Sequence, residues 1–217
     1  MRSLLFKLFS LTIFILPTMQ PGLAIAEDIQ KVRTYLQLDI SPDSSYYGTS
    51  EGYIFQRFSV ANRIFLFGSF SAFNPDTTFA GPRMIVKSAQ DSVLYASPGF
   101  SDSETVTPLF YKTQAVTDPL LLFVGVGGLG SWGNALFRAT DHHVESLGFL
   151  NVATFDSTDL PGNITPHSKI FLSNDTLLIE FPDETILLNP SGDQEEEIKG
   201  TNVFYRYTER KLELVRR

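Results

Sequence analysis

The feature that most constrains this chain is the spacing of its apolar runs. Strand-length stretches rich in Phe, Tyr, Ile, Val and Leu recur from one end to the other, each stopped by Gly, Pro, Asn, Asp or Ser. Such runs read as β-strands joined by turns. They predict strands at Val32–Leu38, Tyr53–Phe58, Ile64–Phe70, Met84–Lys87, Val93–Ala96, Leu109–Lys112, Leu120–Val126, Ala135–Ala139 and Val144–Leu150. Five more are predicted at Ile170–Ser173, Leu177–Phe181, Thr185–Leu188, Val203–Tyr207 and Leu212–Val215. No stretch keeps a helical period over three turns. The nearest candidate, Trp132–Leu147, reads better as a hairpin.

Turn chemistry fixes some of the connections. Asn174-Asp175 separates KIFLS from TLLIEF, and Pro182-Asp183-Glu184 separates that strand from TILLNP. Short polar connections of this kind predict a three-strand meander. Asp39–Gly52, Asn74–Pro82 and Asn189–Gly200 read as surface loops. The last carries Asp193, Glu195, Glu196 and Glu197 without the alternating spacing of a calcium loop.

One internal repeat stands out. Asn134-ALFRATDHHVESL aligns without gaps on Asn202-VFYRYTERKLELV, and a weaker copy, Ser168-KIFLSNDTLLIEF, falls midway. Each unit is a strand, a polar turn and a second strand. Repeated hairpins must bury their apolar faces on neighbours, so the expectation is an all-β fold of antiparallel hairpins, a propeller-like stack or a β-sandwich.

The first residues have a different logic. Arg2 and Lys7 precede the apolar run Leu8–Leu16, and Pro17 and Pro21 lead to Ala24-Ile25-Ala26. That order is the pattern of a cleavable secretory signal, and the run falls short of the about 20 apolar residues that span a bilayer. The expected organisation is a signal peptide over 1–26 and a single β-rich domain over 27–217, with no stable membrane insertion after cleavage. Loss of the two leader cations takes the formal charge of −7 to −9. An acidic surface does not suit nucleic acid, which needs clustered Lys and Arg. The chain has no cysteine, which excludes disulfides, thiolate metal sites and a cysteine nucleophile. An exported chain without disulfides points to a bacterial periplasmic or secreted location.

The segment Leu120-LLFVGVGGLGSWG holds Gly125-x-Gly127-x-x-Gly130 after an apolar strand, the spelling of a dinucleotide fingerprint. VGVGGLGS resembles the nucleotide loop of the ubiquitin-activating and thiamine-biosynthesis adenylyltransferases, and Phe155-Asp156-Ser157-Thr158-Asp159-Leu160 resembles the acidic strand end that follows it there. The resemblance implies Gly127, Gly128 and Gly130 against ATP phosphates and Asp156 on the ribose. Against this, Asp156 lies further from Gly130 than the roughly 20 residues of a βα unit. The would-be helix also aligns with the C-terminal hairpin. The residues themselves predict a tight glycine connection between two strands, and no cofactor is expected.

Trp132, the single tryptophan, stands among these glycines. A ring with little local bulk to cover it can stack on a sugar or a partner surface. Ser131, Trp132 and Asn134 are therefore the expected ligand-binding residues, with a glycan or an envelope protein as partner. Asp141-His142-His143 and Glu145 invite a metal reading, but the matching Glu209-Arg210-Lys211 and Glu213 are an ordinary charged turn. No metal site and no catalytic residue is assigned. The expected function is an exported, non-catalytic binding protein. The alternative is an envelope-polymer hydrolase drawing on a histidine-bound metal or on carboxylates among Asp141, Glu145, Asp156, Asp159 and Glu180.

Overall fold

The computed structural model describes residues 32–49, 52–70, 81–100, 102–155, 160–190 and 192–217. The expected leader, most of the Asn74–Pro82 loop, and Asp156 and Asp159 lie outside the described residues. Among those described, the chain is all-β: every strand pairing is antiparallel, and the only helical pieces are 3-10 turns at Thr165–His167 and Gly200–Asn202.

The strands are β1 (Arg33–Gln37), β2 (Ser44–Thr49), β3 (Gly52–Val60), β4 (Arg63–Phe70), β5 (Arg83–Ser88), β6 (Val93–Ala96), β7 (Thr105–Lys112), β8 (Leu120–Gly127) and β9 (Ser131–Ala139). They continue as β10 (Val144–Leu150), β11 (Val152–Phe155), β12 (Pro161–Gly162), β13 (Lys169–Ser173), β14 (Thr176–Glu180), β15 (Thr185–Leu188), β16 (Glu196–Lys199), β17 (Val203–Thr208) and β18 (Lys211–Arg216). Nine form one large sheet in the order β10-β9-β8-β7-β1-β13-β14-β17-β18. Its two edge strands curl round until they touch, with Leu212 of β18 about 3.1 Å from where a Cβ on Gly148 of β10 would stand. The sheet is thus nearly closed into a barrel.

Alternation explains how this barrel is filled. Leu121 and Phe123 of β8 and Leu136 of β9 point inward, joining Tyr35, Tyr111, Ile170, Leu172, Leu177, Ile179, Tyr205 and Tyr207. Leu120, Leu122, Val124 and Val126 of β8 point outward with Ala135, Phe137 and Ala139 of β9. That outer face is covered by the second sheet, β2-β3-β4-β5-β6, through Phe58, Phe65, Phe67, Met84 and Val86. Every residue of β8 is consequently buried, which is why LLLFV is apolar without alternation. A third sheet, β12-β11-β15-β16, adds Val152, Ile186 and Leu188 to the barrel core at the end marked by Leu150, Phe181 and Val203.

Three hairpins turn on two residues in the left-handed region, Ala61-Asn62, Asn174-Asp175 and Glu209-Arg210. This is the turn whose twist matches the strands. The repeat is real in geometry: Arg138 pairs Glu145 across β9–β10 as Arg206 pairs Glu213 across β17–β18.

The structure corrects three sequence expectations. Asp39–Gly52 contains β2 and Asn189–Gly200 contains β16. Both are sheet edges, where polar and charged residues suit a strand whose outer side faces water, so neither carries the apolar signature of a strand. The expected meander also breaks at Pro182. The free side of β14 is taken by β17, and β15 pairs with β11 and β16 in the third sheet.

Barrel closure rests on a glycine. Gly148 has φ +135° and sits at a bulge in the β9–β10 ladder, directly under Leu212. Gly148→Ala should lose about 1–3 kcal/mol to backbone strain alone, with the Leu212 clash added. Gly48→Ala, with no atom within 4 Å, should stay within about 0.5 kcal/mol of the parent. Denaturant midpoints of the two variants check this.

Candidate functional site

The end of the barrel away from the third sheet is open, and charged residues gather there. β1 brings Arg33 and Tyr35, β9 brings Arg138, β10 brings Glu145, and β17 brings Tyr207, all lining a cavity of about 390 Å³. Leu121, Leu147, Leu172 and Leu177 form its apolar wall. The β7–β8 loop closes one side with Thr117, Asp118 and Pro119.

Two ion pairs set the electrostatics. The Asp118 carboxylate is only 5% exposed. It accepts from Arg33 through Oδ1 and from Thr113 Oγ1 at 2.6 Å through Oδ2. Its own carbonyl takes a hydrogen bond from Lys112 Nζ, which also donates to the Val116 carbonyl at 3.1 Å. These contacts fold the loop tightly back on β7. Across the mouth, Arg138 donates through Nε to Glu145 Oε1 at 2.6 Å, and its guanidinium lies 5.6 Å from the Tyr207 ring centroid. The cation–π contact ties β9 to β17, which are not neighbours in the ladder.

Burial pushes the hydroxyls of Tyr35, Tyr95, Tyr111 and Tyr205 up from the ordinary phenol range. The Asp118 charge adds to the effect at Tyr35, and the hydrogen bond from Asn151 N opposes it at Tyr205. Tyr111 donates from inside the barrel to Gln37 Oε1 or the Thr165 carbonyl, both 3.1 Å away.

The opposite end holds the glycine segment. The stretch after Gly130 is strand β9, where the adenylyltransferase resemblance implies a helix; Gly127 packs on Gly130, and Gly130 on Pro161. A Cβ at Gly127 would stand 2.1 Å from the Gly130 carbonyl oxygen. Trp132 is the extra residue of a β-bulge opposite Val126 and Gly127, followed by Gly133 at φ +128°. Its half-buried ring folds back to within 3.4 Å of the Cβ position of Gly128. Ser131 Oγ accepts from Gly133 N at 3.3 Å. Asn134 is fully buried. Its side chain faces Gly125 inside the barrel, and both amide atoms lack a partner. Ser131 and Trp132 thus share a surface that Asn134 does not.

Comparison with protein-family models, curated proteins and solved structures finds no match.

The remaining sequence candidates are scattered. Asp141 is 95% exposed beside Arg63, Glu180 pairs with Arg217 on the surface, and His167 ends the 3-10 turn while His142 lies in the β9–β10 turn. No group of three potential metal ligands occurs among the described residues. The mouth residues Arg33, Tyr35, Asp118, Arg138 and Tyr207 escaped sequence reasoning. A partial signal existed for one pair: Arg138 and Glu145 are among the identities of the repeat.

The buried tyrosines make a pH prediction. A phenol whose folded-state pKa lies above its unfolded value holds its proton more tightly when folded, so its stabilisation is full below the unfolded pKa of about 10 and is lost as pH rises beyond it. Urea midpoints should therefore hold up to about pH 10 and fall as pH rises above it, and Tyr35→Phe should flatten that fall.

Proposed function

We propose that the chain is an exported binding protein of the cell envelope or extracellular space, released by cleavage after Ala26, that holds the end of a glycan in the barrel mouth. The observation that carries this reading is the cavity of about 390 Å³ in which two ion pairs, two tyrosines and an apolar wall converge. Ligand sites favour the mouths of β-barrels and volumes of about 300–1,000 Å³. Paired charges leave the mouth close to neutral, which suits a hydroxyl-rich neutral ligand better than an ion. Guanidinium and carboxylate groups bond hydroxyls in both directions, and a tyrosine ring packs on the apolar face of a sugar. The outer sheet lies face to face on the barrel wall, which favours the sandwich reading over the propeller reading of the hairpin repeat.

A second reading places an envelope protein at the other end, around Trp132. Leu129, 94% exposed at the tip of the glycine loop, favours it. Such an apolar residue beside a half-buried indole suits a protein partner better than a sugar hydroxyl.

Glycan-array screening followed by calorimetry tests the first reading. The double variant Arg138→Gln/Glu145→Gln removes the pair without stranding a buried charge, and should weaken a captured glycan by about tenfold or more, the loss of two charge-assisted hydrogen bonds. Absence of any captured glycan, or binding indifferent to the double variant, overturns it. Binding lost instead with Trp132→Ala moves the site to the opposite end.

A further inference from the structure

Beside the mouth lies a second depression, of about 590 Å³, between the β3–β4 turn, the β9–β10 turn and the β7–β8 loop. Two cations line it, Arg63 at the start of β4 and Lys112 at the end of β7. Neither is neutralised in the ordinary way. The Arg63 side chain is 5% exposed, yet its donors go to the carbonyls of Ala61, at 3.3 Å, and Thr140. Its Nε has no partner. The carboxylate nearest to it is Asp141, 3.7 Å away and 95% exposed. Lys112 likewise donates to the carbonyls of Val116 and Asp118 and has no carboxylate partner among the described residues. The Asp118 carboxylate that also borders the depression is committed to Arg33 and Thr113.

A buried guanidinium whose hydrogen bonds all go to carbonyls, with its one carboxylate neighbour out in solvent, keeps most of its charge, and burial without a close counter-ion is costly. Burial lowers the Arg63 pKa, and Asp141 only partly restores it. Arg63 and the half-buried Lys112, on separate strands, face one hollow in a chain of net charge −7. Beyond Asp118 and Asp141 the lining holds no further carboxylate; Thr117 and Thr140 add hydroxyl donors and His142 an imidazole. From this geometry we infer that the hollow between Arg63 and Lys112 binds a phosphate group.

Each cation keeps N–H donors beyond those its carbonyl contacts use: Arg carries five and Lys three. Asp141 at the rim competes with the ligand for Arg63 and swings aside into solvent when phosphate enters. A phosphate dianion engages both cations at once, whereas a carboxylate monoanion matches only one of them. The hollow shares Thr117, Asp118, Pro119 and Thr140 with the barrel mouth, but the inference stands without the glycan reading because inorganic phosphate alone is its probe.

Calorimetric titration of the full chain with inorganic phosphate, against acetate and chloride at matched ionic strength, is the test. Phosphate should bind saturably and more tightly than acetate. Lys112→Gln should weaken phosphate by about fivefold, and Asp141→Asn should strengthen it by about threefold, the range of a partly exposed charge pair. Asp141 is exposed, so Asp141→Asn keeps the test independent of whether an Arg63 variant folds. Phosphate binding that is absent, no tighter than acetate, or unchanged in both variants overturns the site.

Discussion

The structure depends on the burial of β8 on both faces. Its inward residues Leu121 and Phe123 belong to the barrel core and its outward residues Leu120, Leu122, Val124 and Val126 to the core between sheets. Each fully buried side chain of this size is worth about 1.5–3 kcal/mol, so one strand holds two layers together without any disulfide. The neighbour β9 repeats the division with Leu136 inward and Phe137 outward. At Arg138 the inward side reaches the mouth, and the apolar pattern gives way to charge because solvent begins there. The candidate site is thus the point at which the barrel core runs out.

The hairpin repeat shows what a sequence pattern can and cannot carry. Its register is preserved, since Ala139 faces Val144 as Tyr207 faces Leu212. Its faces are not. Ala135, Phe137 and Ala139 point out of the barrel, while the matching Val203, Tyr205 and Tyr207 point into it. The cause is topological. Six antiparallel steps separate β9 from β17, so the two strands run the same way, but their hairpins extend towards opposite edges of the sheet. Superposing one on the other needs a half-turn about the strand axis, which exchanges inside and outside. A repeat of that kind does not stack as identical blades. The matching Leu136 and Phe204 show it: Leu136 is buried inside the barrel, whereas Phe204 lies on the outward face of β17, half-buried beneath the Arg217 guanidinium.

Most strands were legible because a covered face leaves an apolar imprint in the sequence. β6, β10 and β15 match their expected bounds residue for residue. The edges β2 and β16 left none, since a polar strand and a polar loop read alike. The site was less legible for a related reason. Asp118 meets Arg33 across 85 positions of sequence, and nothing local to either residue announces the other. Trp132 was conspicuous by its type, whereas Arg63 looks like any turn-flanking arginine until its burial is seen.

β1 adds a last constraint, on the order in which the barrel is completed. β7 and β13 run parallel and do not pair; β1 lies antiparallel between them, bonded to β13 through Arg33–Tyr35 and to β7 through Leu36 and Gln37. Without it the nine-stranded sheet is two four-stranded sheets. The first strand of the described chain therefore waits for a partner near residue 170 before its ladder can form. Contacts of such sequence separation are entropically slow. The β7–β10 and β13–β18 halves can form from nearer neighbours, through short hairpins and the β14–β17 pairing. Closure needs β1, which puts Tyr35 into the core and brings Arg33 to the Asp118 carboxylate that Thr113 also holds. The mouth assembles only in that step, because Arg33 and Tyr35 are part of its lining. A chain competent to bind there is one in which the barrel has closed.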